Sequence, residues 1–232
     1  VKAADAPHEI FDDVLEELLI SGDIKVWKAR EIVQNLTKRE PIKTEDFDAA
    51  TSGKVILLGE HSVVYGRHAI AVPVPLNIRV KVEEADNGVL LMIPSWGVEY
   101  RLDKKPEERQ SFEKPAALIL EKMNLSHTGM KIEVFSDIPR GMGLGGSAVI
   151  AVSIIKALNN YFKMNLTEEE INKMAYESEK IAHGNPSGID NTIATYGHPI
   201  IYRKGETALK ESLQIKKPCL LYTSPSPRDA LE

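Results

Sequence analysis

Apolar positions divide the chain into three regions with different spacing. In residues 8–36 they recur at helical intervals, with an interruption at Ser21-Gly22-Asp23. This spacing predicts two amphipathic helices whose apolar faces need another surface to cover them. A polar connector over residues 38–50 leads into the second region. The first 50 residues are therefore predicted to be a helical N-terminal extension.

The second region, residues 54–138, is rich in predicted strands. Val55–Leu58 is a short apolar run typical of a buried strand, and Ile78, Val80 and Val82 alternate with charged residues as in a half-buried strand. Further strands are predicted over residues 90–93, 98–102 and 130–135, with a turn at residues 95–97 and a helix at 115–123.

The third region is helical. Residues 147–162 are apolar on most sides of the first two turns, which predicts an interior helix. Thr167 and Glu170 have the spacing of a capping box, and that helix should run to about Ala182, with Gly184 just past its end. A sheet followed by helices favours an α+β fold over repeated βαβ units.

Composition limits the function classes. The 232 residues carry a net charge of −5, 43% hydrophobic and 27% charged residues, which is ordinary for a globular protein. Nothing in the charge suggests a nucleic-acid or anionic-membrane partner, and no apolar run approaches the ~20 residues of a membrane span. The single cysteine, Cys219, excludes an internal disulfide framework. A cytoplasmic location is expected.

A glycine-rich stretch, Gly141–Ser147 with the sequence GMGLGGS, precedes the interior helix. Backbone amides at a helix N-terminus favour a phosphate group, and Ser147 could cap the helix or place its hydroxyl on Mg²⁺. The match to G-x-G-x-x-G is weak evidence alone. No strand with a terminal acidic residue follows, as a dinucleotide site requires, and no Gly-Lys-Ser/Thr follows, as a Walker A loop requires. A tight turn before a buried helix is the ordinary alternative.

Four other residues have side chains suited to the same chemistry. Lys54 begins an apolar strand, Glu60 lies in a polar turn at its far end, Glu179 lies on the capped helix, and Asp190 follows the constrained segment Pro186-Ser187-Gly188. Each also has an ordinary role: an edge lysine, a polar turn, a solvated helix flank or a turn-forming aspartate.

Taken together, these segments resemble the galactokinase–homoserine kinase–mevalonate kinase–phosphomevalonate kinase (GHMP) superfamily. The runs GKVILLGEHSVVYG and HGNPSGIDN are similar to those of its mevalonate kinases, and the resemblance covers about residues 52–218. It implies a ribosomal-S5-domain-2-like N-terminal domain, with a mixed sheet backed by helices. It also implies ATP, Mg²⁺ and mevalonate as ligands.

The resemblance assigns roles by position. Asp190 would take the proton from the attacking hydroxyl, and Lys54 would lie beside it. Ser147 and Glu179 would bind Mg²⁺, and Lys54, Glu60, His61, Ser187 and Asp190 would line the substrate pocket. The residues implied at the ATP phosphates are Gly141, Gly143, Leu144, Gly145, Gly146, Ser147 and Ala148.

The chain departs from the family pattern in several places. Ser52 stands where proline is usual, and Gly146 where serine is commoner. The family's second glycine-rich motif has no match, so we expect an N-terminal kinase domain at 51–218 without its C-terminal partner, inactive or nearly so. Residues 219–232 resemble a translated sequencing adapter.

Some alternatives stay open. Residues 1–50 faintly resemble the N-terminal segment of some hydroxymethylglutaryl-CoA reductases, which suggests a fusion or docking extension, although a plain helical extension is favoured; a homodimer is also considered. The chain could instead be a sister kinase such as a phosphomevalonate kinase, or a non-catalytic nucleotide-binding or scaffold module.

Overall fold

The computed structural model describes residues 47–104, 113–138, 143–205 and 209–210. The helices predicted over residues 8–36, the tail at 219–232 and the predicted phosphate-loop residue Gly141 lie outside these ranges. None of the helices in the described part of the chain is long and apolar enough to cross a bilayer.

The described residues form a seven-stranded mixed sheet and four α-helices. The elements in chain order are β1 (Ala49–Leu58), β2 (Ala69–Glu84), β3 (Val89–Ile93), β4 (Val98–Arg101), α1 (Glu113–Lys122), β5 (Met130–Ser136), α2 (Gly146–Tyr161), α3 (Glu168–His183), α4 (Ile189–Tyr196), β6 (Ile200–Tyr202) and β7 (Leu209–Lys210). Single 3₁₀ turns occur at Val63–Tyr65 and Pro94–Trp96.

Strand β2 is the centre of the sheet. The strand order is β4-β3-β5-β2-β6-β7, and β1 pairs with β2 in addition. Only the β3–β5 pair is parallel; the other pairs of described strands are antiparallel. With 16 residues, β2 is long enough to pair with β6 at its beginning and with β5 at its end. It therefore joins the two ends of the sheet.

The core lies between the sheet and the helices. Alternate residues of β2 and β5 are buried, as the period of a pleated strand requires. Helix α2 contributes nine buried residues to the same interior, which confirms the predicted interior helix. One continuous cluster joins β2, β3 and β5 to α1 and α2. The α+β fold predicted from the sequence is confirmed.

Helix α3 begins at the predicted capping box. Thr167 Oγ1 accepts a hydrogen bond from the Glu170 amide at 3.2 Å, and the Glu170 carboxylate accepts one from the Thr167 amide at 2.8 Å. Two amides that the first turn leaves without helical partners are thereby satisfied. Gly184 ends the helix, also as predicted.

Two predictions about the second region need correction. The strand predicted at Val55–Leu58 exists, but it starts at Ala49 inside the predicted connector, and its apolar run is not buried. Leu58 is 66% exposed, whereas Lys54 is buried. Among the described strands β1 pairs with β2 alone, and Val55, Ile56 and Leu57 are half-buried, with Ile56 packed against a small buried cluster that includes Val63 and Ile189. The sequence prediction also lacked α4, β6 and β7.

Candidate active site

A cavity of about 820 Å³ opens between β1, the glycine-rich turn and the facing ends of α3 and α4. Polar side chains line part of it, among them Lys54, Ser147, Glu179 and Asp190. The remaining wall is largely apolar and comes from β3, β4, α1 and α2. The cavity therefore combines charged groups with a surface suited to an apolar or aromatic part of a ligand.

Lys54 and Asp190 form an ion pair in this cavity. Lys54 Nζ lies 3.0 Å from Asp190 Oδ1, and the two side chains are 6% and 33% exposed. Lys54 comes from the middle of β1, where its amide also donates to the Leu144 carbonyl at 3.2 Å. The edge-lysine alternative is wrong, because this lysine points into the protein and its ammonium meets a carboxylate.

Asp190 lies in a helix rather than in the loop that the sequence suggested. It occupies the first turn of α4, one residue after Ile189, and Gly188 is the N-cap residue. Carboxylates are favoured in a first helical turn because the free amides there carry partial positive charge. The helix therefore fixes the direction of the Asp190 side chain toward Lys54.

The glycine-rich turn contacts Lys54 directly. Gly145 has a φ of +74°, and a Cβ atom at this residue would lie 3.0 Å from both Cγ and Cε of Lys54. Gly145 is the N-cap residue of α2, so the next amides, beginning at Gly146, have no carbonyl partner within the helix. Six of the residues that the resemblance implies at the ATP phosphates line the cavity: Gly143, Leu144, Gly145, Gly146, Ser147 and Ala148.

Ser147 does not cap α2. Its hydroxyl instead donates to Glu179 Oε1 at 2.5 Å, across from α2 to α3. Glu179 is only 6% exposed, so it is not a solvated flank. Burial raises the pKa of the Glu179 carboxyl; the Ser147 hydrogen bond and His183 oppose the rise, and the nearby Asp190 adds to it.

His183, at the last turn of α3, completes this group. Its Nε2 lies 3.4 Å from Ser147 Oγ and 3.6 Å from Glu179 Oε2, and its side chain is 55% exposed. The motif quoted from the sequence contained His183, but no role was assigned to it. Its spacing of four residues from Glu179 on one helix is the signal that could have indicated this contact.

The predicted substrate-binding residues are only partly brought together. Glu60 and Ser187 line the cavity with Lys54 and Asp190. His61 is exposed and is not among the lining residues. Ser187 Oγ lies 3.4 Å from the Ile189 amide that donates to it, so this side chain stays at the start of α4.

The oxygen atoms of Ser147 and Glu179, on the polar side of the cavity, are suited to binding a magnesium ion. Mg²⁺ commonly binds one or two carboxylates together with substrate phosphates and water. The adjacent Ser147 hydroxyl and Glu179 carboxylate supply oxygen donors of this kind. In the parts of the chain that the structure describes, no group of three or more His, Cys, Asp or Glu side chains could hold a metal ion alone. Ligand oxygens would have to complete the coordination.

Comparison with known proteins agrees with this geometry. Residues 111–198 match the family model of the GHMP kinases N terminal domain. This chain carries a GHMP kinase N-terminal domain. The matched residues include the glycine-rich turn, Glu179 and Asp190, while Lys54 precedes them. The GHMP kinase resemblance seen in the sequence is thereby confirmed.

The curated relatives of this GHMP kinase domain include mevalonate kinases from archaea. The chain is 36% identical over 173 residues to the mevalonate kinase of Pyrococcus abyssi, covering 68% of the chain and 51% of that protein. It is 38% identical over 150 residues to the mevalonate kinase of Archaeoglobus fulgidus, covering 64% and 50%. The chain spans about half the length of the curated relatives it matches.

Solved structures of mevalonate kinases have the same fold. That of Methanococcus jannaschii matches with a TM-score of 0.62 and 28% identity, over 71% of this chain and 55% of that one. The mevalonate kinase of L. major in complex with R-mevalonate matches with a TM-score of 0.56 and 31% identity, over 70% and 50%. The predicted mixed sheet backed by helices is therefore confirmed as the GHMP kinase fold.

Proposed function

We propose that the protein containing this chain transfers the γ-phosphoryl group of ATP to the 5-hydroxyl of mevalonate. The observation that carries the proposal is the Lys54–Asp190 ion pair, which faces the same cavity as the glycine-rich turn and the Ser147–Glu179 pair. The sequence identity to archaeal mevalonate kinases and the likeness to the L. major mevalonate kinase in complex with R-mevalonate support this choice of substrate.

Each side chain has a role that its position allows. Asp190 accepts the proton of the hydroxyl while that oxygen bonds to the γ-phosphorus; the bond from the γ-phosphorus to the β,γ-bridging oxygen breaks, and ADP leaves. The Lys54 ammonium, 3.0 Å from Asp190, would stabilise negative charge on the attacking oxygen. Glu60 and Ser187 line the cavity beside this pair and would contact the alcohol.

The phosphates would lie over the N-terminus of α2. The free amides that follow Gly145 donate to phosphate oxygens, and the helix dipole favours their negative charge. Ser147 and Glu179 would hold Mg²⁺, which when bound neutralises charge on the β- and γ-phosphates. The apolar wall of the cavity, which includes Trp96 and Ile119, suits the adenine ring.

The decisive substitution is Asp190→Asn, which keeps the size of the side chain and removes its basicity. Turnover of mevalonate should fall by about 10²-fold or more, because a general base contributes about 10²–10⁴-fold. Nucleotide affinity should change by less than about two-fold, because the expected phosphate contacts come from α2. The assay measures ADP release in the longest natural form of the protein that contains this chain.

A matched control is Asp86→Asn, the same change at an exposed residue that is not among the cavity-lining residues. Its turnover should equal that of the unmodified protein. A panel of mevalonate, phosphomevalonate, homoserine and galactose tests the substrate. Near-normal turnover in Asp190→Asn would contradict the assigned base, and preference for another alcohol would contradict mevalonate.

A further inference from the structure

Three consecutive residues at the end of β6 each contact a loop beside the cavity. Tyr202 Oη donates to the Ser187 carbonyl at 2.9 Å, and Lys204 Nζ donates to Asn185 Oδ1 at 2.9 Å. Arg203 Nε donates to the Gly66 carbonyl at 2.7 Å. These bonds reach two separate loops, residues 59–68 and residues 184–188, which carry the cavity-lining residues Glu60 and Ser187.

Tyr202 is the buried member of this group. It is 8% exposed and packs in a cluster with Val63, Ile189 and Ile193. Val63 lies in the loop of residues 59–68, and Ile189 and Ile193 lie in α4, which follows the other loop. Burial raises the Tyr202 pKa to about 12, so its hydroxyl is protonated and able to donate at physiological pH. The ring thus packs between the segments, and the hydroxyl bonds to one of them.

The fit around the Tyr202 hydroxyl is tight. A Cβ atom at Gly188 would lie 2.4 Å from Tyr202 Oη, so this residue must be glycine while the hydroxyl is present. Gly188 has a φ of +89° and is the N-cap residue of α4, two residues before Asp190. The position of the hydroxyl is therefore coupled to the first turn of the helix that carries Asp190.

The backbone of Tyr202 is attached to the other loop. It pairs with Ala69, the first residue of β2, immediately after residues 59–68. Main-chain pairing holds the end of that loop, and the side chain reaches across to Ser187. A single residue thus joins both loops. Tyr202 and Lys54 are far apart in the sequence, but they lie on strands β6 and β1, which both pair with β2.

We propose that Tyr202–Lys204, here named the strut, is a positioning element that holds the two substrate-facing loops at a fixed separation, with Tyr202 as its main positioning residue. The proposal rests on the proposed function in one respect: these loops are taken to contact the alcohol. The phosphate-side residues Ser147 and Glu179 lie within α2 and α3, which the three strut hydrogen bonds do not reach. The strut should therefore affect alcohol binding and leave nucleotide binding unchanged.

The test variant is Tyr202→Phe, which removes the hydroxyl and keeps the buried ring. Loss of one hydrogen bond at this site should lower kcat/KM for mevalonate by about five-fold, with the affinity for ATP within about two-fold of normal. Tyr161→Phe is the matched control, because Tyr161 lies at the far end of α2 and does not line the cavity. It should leave both constants unchanged. An equal loss for ATP and mevalonate would overturn the proposal, as would no loss at all.

Hydrogen exchange separates the strut from the proposed function, since it needs no substrate. In this chain, Tyr202→Phe should speed exchange of the amides of residues 187–193 by about five-fold relative to the unmodified chain and to Tyr161→Phe. Lys204→Ala, which removes the bond to Asn185, should speed exchange of the amides of Gly184 and Asn185. If these amides exchange faster in the variants but the protein does not phosphorylate mevalonate, the positioning role of the strut is supported and the proposed function is wrong. Unchanged exchange in both variants overturns the strut, whatever the activity.

Discussion

The contact between Gly145 and Lys54 leads to a prediction that the structure allows us to quantify. Gly145→Ala places a Cβ atom on a residue with a φ of +74°, 3.0 Å from two carbons of the Lys54 stem. A left-handed backbone costs an L-residue about 1–2 kcal/mol. The stem is buried and its ammonium is bound to Asp190, so its displacement should add about 1 kcal/mol. We expect a total loss of about 2–3 kcal/mol in the free energy of unfolding.

Gly143→Ala provides the matched control. Gly143 has a φ of +69°, close to that of Gly145, but nothing lies within 4 Å of its Cβ position. It should therefore lose only the backbone contribution of about 1–2 kcal/mol. The difference between the two variants isolates the effect of the Lys54 contact.

Two measurements check this prediction. Urea denaturation gives the free energies of unfolding, and acetylation of the Lys54 amine, followed by mass spectrometry, reports whether the ion pair with Asp190 is kept. Gly145→Ala should be less stable than Gly143→Ala and should acetylate faster at Lys54. Equal stability and equal acetylation would refute the reasoning, because the contact would then restrain neither the glycine nor the lysine.

Four other changes have defined outcomes. Leu158→Ala should lower the free energy of unfolding by about 2–5 kcal/mol, because Leu158 is fully buried in the core; a loss below this range in urea denaturation would indicate a looser interior. Thr167→Ala should lower it by about 1 kcal/mol while Thr167→Ser should not, since only the hydroxyl caps α3. Hydrogen bonds from Thr167 lower the Glu170 pKa. Their contribution to stability is therefore present above the ordinary carboxyl pKa and is lost as the pH falls through the lowered pKa. Glu170→Gln should make the free energy of unfolding fall less steeply at acid pH in denaturation curves, and an unchanged fall would contradict this. Ser147→Ala should raise the Mg²⁺ concentration needed for half-maximal nucleotide binding by about ten-fold, and no change would exclude Ser147 as a ligand.

Elements with a strong local pattern were predictable from the sequence. The alternation at Ile78, Val80 and Val82 predicted the second half of β2, which begins already at Ala69, and the Thr167–Glu170 spacing predicted the start of α3. In both cases the physical cause, a pleat or a pair of capping bonds, acts among neighbouring residues. The interior helix α2 was predictable for a similar reason, because its apolar residues surround the helix.

Elements that depend on distant partners were not predictable in this way. Helix α4 has only eight residues and follows proline and glycine, so its local signals indicate a turn. It is helical because Ile189, Ile193 and Ala194 are buried. The contribution of Tyr202 was missed for the same reason, since it depends on the pairing of β6 with β2.

The candidate site was predicted in part. The resemblance to GHMP kinases identified Lys54, Ser147, Glu179 and Asp190, and the structure places all four around one cavity. The roles assigned to them stay predictions. The sequence could not show that Ser147 bonds to Glu179 instead of capping α2, because that choice depends on how α2 and α3 pack.

The pairing of β2 with three other strands has a consequence for the order of events during folding. Lys54 reaches the cavity through β1, whereas Asp190 depends on β6 and the loops beside it, and both β1 and β6 pair with β2. Contacts between segments so distant in the chain close large loops and form slowly. The Lys54–Asp190 pair should therefore form among the last contacts. Protection of the buried Lys54 amine would then report completion of the native state.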